Sequence, residues 1–103
     1  MKTIGLLGGM SAASTQIYYR RLCDLTREAL GGLHSPEPII RSVDFAPIAA
    51  AQAAGDWAGL GARLNHEARR LEQAGAEMIV LATNTMHKLA EPMMQGVSIP
   101  LVH

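Results

Sequence analysis

Four short apolar runs, Thr3–Leu7, Ile39–Phe45, Met78–Ala82 and Ile99–Val102, alternate with segments of helical periodicity, and this alternation restricts the chain more than any other feature. A parallel crossover needs a helix and is almost always right-handed, so strands alternating with helices predict an α/β fold. The expected architecture is a doubly wound parallel sheet with helices on both faces. Ligands in such sheets bind outside the carboxyl ends of the strands. Two segments therefore carry the functional interest: Gly8–Ser11 after the first run and Thr83–His87 after the third.

The helical segments differ in clarity. From Ser11 to Leu30 the apolar positions Tyr18, Leu22, Leu25 and Ala29 fall on one face, with Ser11 or Ser14 as N-cap and Gly31–Gly32 as the stop. Pro47–Ala54 is alanine-rich and reads as a short helix or a single helical turn. Asp56 is placed to cap the next helix, where Leu60, Leu64, Ala68 and Leu71 form a stripe closed by Gly75, and Arg63, Glu67, Arg69, Arg70 and Glu72 cover other faces. A last helix is expected over Met86–Met94, poorly tolerant of Pro92.

At 103 residues the chain predicts one domain, 1–103. Nine Lys plus Arg against nine Asp plus Glu leave no surplus charge to hold a nucleic acid or an anionic membrane surface. No run approaches the ~20 apolar residues of a membrane span, so a soluble, cytoplasmic chain is expected. One cysteine forms no internal disulfide, and no Cys/His pair has zinc spacing, so no metal is expected. Cys23 reads as a small buried hydrophobe, and Trp57 and the methionines as packing. His34, His66 and His103 share no spacing and receive no role.

Each polar segment has two readings. Gly8-Gly9-Met10-Ser11 sets flexible backbone and a hydroxyl before a helix N-terminus, a place suited to an anion. The alternative is a tight turn that needs glycine for backbone geometry alone. Neither the dinucleotide fingerprint nor the Gly-Lys-Ser/Thr phosphate loop is present. Thr83, Asn84 and Thr85 supply two hydroxyls, an amide and backbone donors, which suits a carboxylate clamp or, equally, a cap for the following helix. His87 and Lys88 follow within the first turn, as charge near a bound anion or as ordinary helix-surface residues.

MKTIGLLGGMS at 1–11, GGLHS at 31–35, SVDF at 42–45 and LATNTMHK at 81–88 together resemble the aspartate/glutamate racemase family, in the same order and over nearly the whole chain. The resemblance implies a tandem of two similar α/β domains with a cofactor-free site between them, of which this chain is the amino-terminal half. It also implies two thiols on opposite sides of the substrate α-carbon, one from each half. The first-half thiol belongs to a Cys-Asn-Thr triplet, and Thr83 stands where that Cys is usual. Carried over position by position, Thr83 is the catalytic residue, while Met10, Ser11, Gln52, Thr83, Asn84 and Thr85 bind substrate. Ala12 and Ala13 depart from the bulkier Trp-Glu pair of the nearest relatives.

The reading that results is a racemase of acidic amino acids acting by α-proton abstraction and return, with no cofactor, and inactive as a half chain. The runner-up is a catalytically inactive carboxylate-binding or assembly domain. An isolated phosphate-binding domain stands third, since no Lys/Arg clamp for a dianion is evident. The expected partners are an acidic amino acid and either the second domain or another copy of the chain. The latter follows because apolar residues make up 49% of a short chain without a disulfide or metal.

Overall fold

The computed structural model describes residues 2–83 and 89–102. The chain runs β1 (Ile4–Gly8), α1 (Ala12–Leu30), β2 (Ile39–Ser42), α2 (Phe45–Ala54), α3 (Trp57–Gln73), β3 (Met78–Leu81), α4 (Ala90–Met93) and β4 (Leu101–Val102). All strand pairs are parallel, in the order β2-β1-β3-β4, with Leu6 opposite both Ile40 and Val80 and Ile79 opposite Leu101. The doubly wound α/β expectation holds.

Local chemistry explains where the helices begin and end. Ser11 caps α1, its hydroxyl accepting from the Ser14 N–H at 3.4 Å, and the Gly31 N–H closes the far end on the Arg27 carbonyl at 2.7 Å. Asp56 caps α3 by accepting from the Gly59 N–H at 3.0 Å. The α3 stripe Leu60, Leu64, Ala68 and Leu71 is buried, packed with Leu7, Ile79 and Leu81 from the sheet and Ile48 from α2. Since Leu7 faces α3, the alternation of a strand turns Leu6 and Gly8 to the opposite face, where α1 lies.

Several expectations need correction. The second strand ends at Ser42 rather than Phe45, because Asp44 accepts from the Ala46 N–H at 3.3 Å and starts α2 at Phe45. Pro47 thus lies in the first turn, where its missing N–H costs nothing. Pro92 is tolerated for a related reason: α4 spans Ala90–Met93, a single turn in which Pro92 has no inner N–H to supply. Residues 86–88 of that expected helix lie outside the described residues. The fourth strand shortens to Leu101–Val102, although the Ile79 N–H still reaches the Pro100 carbonyl at 2.9 Å.

The expected apolar face of α1 is only half realised. Tyr18 and Leu22 are half-buried, Leu25 and Ala29 are exposed, and Thr26 is the buried residue of the helix. Because α2, α3 and α4 all pack on the other side, α1 covers its face of a four-stranded sheet without a helical neighbour among the described elements. Trp57 is likewise more exposed than a packing role requires, at 38%.

Candidate active site

The strand order reverses between β1 and β3, so the crevice at a doubly wound switch point opens at their carboxyl ends. Two main-chain bonds draw three strand ends together there. The Ala82 N–H donates to the Leu7 carbonyl at 2.9 Å, and the Val43 N–H donates to the neighbouring Gly8 carbonyl at 2.9 Å. The turn from β1 into α1 is thereby held between the ends of β2 and β3.

Gly9 needs to be glycine at this place. Its φ is +92°, and an added Cβ would lie 2.2 Å from the Val43 carbonyl oxygen. Gly8 is equally confined, since a Cβ there would fall on the Thr15 hydroxyl. The Gly9 N–H donates to Thr15 Oγ1 at 2.8 Å, and that hydroxyl donates in turn to the Ser11 carbonyl at 3.2 Å. Met10 is buried at 4% exposure within the core, whereas Ser11 faces solvent.

Thr83 follows directly on the Ala82 contact and is buried, at 6% exposure. Met10, Ser11 and Thr83 thus come to one end of the sheet. Gln52 lies on α2 one turn beyond the fully buried Ile48, on the same helical face, and is half-buried. Asn84, Thr85, His87 and Lys88 lie outside the described residues. Cys23 is half-buried rather than enclosed and sits about 18 Å along α1 from its N-cap by the helical rise, far from the strand ends.

Two residues that matter here were not singled out by spacing. Thr15 had a faint signal, a hydroxyl one turn into a helix after paired glycines. Glu67 had none, since a carboxylate among charged residues on a helix reads as solvent-facing. It is buried at 4% exposure and bonded to Arg41 Nε on β2 at 2.5 Å, with Arg70 at 3.9 Å. Burial pushes the Glu67 carboxyl up, but the hydrogen bond and charge of Arg41, helped by Arg70 and His66, outweigh it and hold the group below the usual carboxylate range.

Two open grooves of about 490 Å³ each flank α1, a mixed one lined by Thr15, Gln16, Tyr19, Arg20, Cys23, Asp24, Arg27 and Ile40, and a more apolar one lined by Ile4, Leu22, Leu25, Thr26, Ala29 and Leu30. Neither is lined by Thr83, Met10 or Ser11, although the first begins at Thr15 beside the turn after β1. Among the described residues, no group of three or more His, Cys, Asp and Glu side chains is arranged to hold a metal ion, and no helix is long and apolar enough to cross a membrane.

A parallel sheet in this order, with a glycine turn after β1 and buried Thr83 after β3, defines a doubly wound α/β protein, a fold in which ligands bind at the switch point. The chain belongs to the Asp/Glu/Hydantoin racemase family, whose model matches residues 7–103. It is similar to a solved structure described as a "putative Asp/Glu Racemase" from Yersinia pestis, with 48% identity and a TM-score of 0.96, covering 100% of this chain and 45% of that one. It is also similar to an aspartate racemase homologue from Pyrococcus horikoshii OT3, with 36% identity and a TM-score of 0.89, covering 99% of this chain and 44% of that one. This chain therefore spans less than half the length of these solved relatives.

Proposed function

We propose that residues 1–103 act as the amino-terminal domain of a cofactor-independent racemase of aspartate or glutamate, completed by a second domain across the strand ends. The observation that carries this reading is Thr83, a buried hydroxyl at the carboxyl end of β3 beside the Gly8–Ser11 turn, in a chain of the racemase family. Ser11 and Gln52, with Asn84 and Thr85 and with Met10 through its main chain only, form the wall that takes the substrate carboxylates, and Thr83 faces the α-carbon.

The chemistry is necessarily unequal on the two faces. A thiol can be tuned to present a thiolate near neutral pH, whereas an alcohol has no comparable ionised population. A Cys of the second domain removes the α-proton from one enantiomer, leaving a carbanion delocalised into the carboxylate. The Thr83 hydroxyl delivers a proton to the opposite face and regains one from water, while the Cys thiol gives up its captured proton to water and returns to the thiolate. Proton removal from the other enantiomer would require Thr83 as base; because the enantiomers are equal in free energy, this slows racemisation equally in both directions, while the enantiomer whose α-proton faces the Cys exchanges that proton with solvent faster than it inverts.

The second reading, a non-catalytic carboxylate-binding or assembly domain, is favoured by the same threonine. Solvent deuterium incorporation separates the two. The full-length protein in heavy water should label the α-carbon of aspartate or glutamate, and residues 1–103 alone should not. Saturable aspartate binding without any α-exchange by the full-length protein would favour the non-catalytic reading. Exchange confined to 5-substituted hydantoins would keep the family and discard the acidic substrate.

A further inference from the structure

The wall after β1 has to hold one conformation if Met10 and Ser11 are to meet a substrate, and its paired glycines bring no side chains of their own to fix it. One side chain removes that freedom. Thr15 Oγ1 accepts the Gly9 N–H at 2.8 Å and donates to the Ser11 carbonyl at 3.2 Å, so a single hydroxyl bonds main-chain groups of the two residues that flank Met10. The Thr15 N–H also reaches the Ser11 carbonyl, at 3.3 Å. The side chain fills the space beside Gly8, where an added Cβ would lie 2.8 Å from Thr15 Cγ2. Hydrogen bonding and packing are thus combined in one residue: Oγ1 makes both bonds and also lies nearest Gly8, while Cγ2 contributes packing alone.

We propose that Thr15 is a positioning residue for the substrate wall, its hydroxyl setting the turn in which Met10 and Ser11 present themselves at the strand ends. Ser11 gains a second duty from this arrangement. Its hydroxyl caps α1 through the Ser14 N–H while its carbonyl is held by Thr15, so the loop and the first turn of the helix move as one unit. The proposal rests on the racemase reading for its consequence, although not for its geometry.

Two variants of the full-length protein divide the contributions. Thr15→Val keeps the methyl beside Gly8 and removes both side-chain bonds, while Thr15→Ser keeps the hydroxyl and removes the methyl. Thr15→Val should raise the KM for aspartate by roughly tenfold or more, the scale expected when a buried polar group loses its partner. It should also speed hydrogen exchange at the Gly9 amide, and Thr15→Ser should stay within about threefold of the parent in both. Unchanged KM and kcat in Thr15→Val would overturn the proposal, as would a Thr15→Ser variant equally impaired. If the parent protein exchanges no α-proton of any acidic amino acid, the racemase reading fails separately. Gly9 amide protection then still decides whether Thr15 sets the turn, and protection unchanged in Thr15→Val would refute it.

Discussion

At the scale of single residues, the site depends on positions where one atom more or less changes the outcome. Gly9 combines a φ of +92° with a Val43 carbonyl 2.2 Å from where a Cβ would sit. Gly9→Ala should therefore cost roughly 2–5 kcal/mol, from left-handed strain of ~1–2 kcal/mol and overpacking of ~1–3 kcal/mol. Thermal unfolding should show a drop in midpoint on the order of 10 °C, and a shift of one or two degrees would mean that the turn can open at little cost. Thr83 differs from Gly9 in kind. Its replacement tests chemistry, because a threonine and a cysteine fill similar space while only the thiol has an accessible anion.

At the scale of elements, α3 organises the half of the molecule that supports the β3 end. Asp56→Ala removes its N-cap and should cost about 1 kcal/mol, read by denaturant unfolding. Behind that helix, Glu67 ties α3 to the edge strand β2 through Arg41. Its carboxyl is held below the ordinary range in the folded protein, so this contribution is complete above the unfolded value near ~4.3 and is lost as pH falls through the folded value. The stability gap between parent and Glu67→Gln should accordingly shrink between pH 6 and pH 3. A gap of the same size at both ends would show that the charge of Glu67 contributes nothing. These elements also show what the sequence carries. The α3 stripe, bounded by Asp56 and Gly75, was legible because periodicity, cap and stop agree, and the parallel order followed from alternation alone. Asp44 was harder to read, since a strand that continued through Phe45 explained the same residues until the Ala46 N–H contact ended it. Glu67 was illegible, its burial being set by an arginine on another element. At the site, the two glycines and Thr83 were readable as the ends of apolar runs, while the role of Thr15 depends on a bond made after the loop folds back.

At the scale of the whole molecule, among the described residues the sheet has one face covered by three helices and the other by α1 alone, with Ile17 exposed at 67% and Leu25 at 44%. Parallel sheets are ordinarily covered on both faces, so residues 1–103 on their own should associate in a concentration-dependent way. Sedimentation of Tyr19→Glu/Leu25→Glu, which places a charge in each groove, should restore the monomer, and a wild-type chain monomeric at every concentration would oppose the idea. The central proposal is that the complete protein racemises acidic amino acids with the Thr83 hydroxyl, rather than a thiol, on one face of the substrate. The most direct measurement is the initial rate of α-deuterium incorporation from each enantiomer of aspartate and of glutamate, in the full-length parent and in Thr83→Cys. The parent should exchange one enantiomer faster by a large part of the ~10²–10⁴ that general base assistance supplies, and Thr83→Cys should narrow that ratio. Equal rates from both enantiomers in the parent, unaltered by the substitution, would contradict the account.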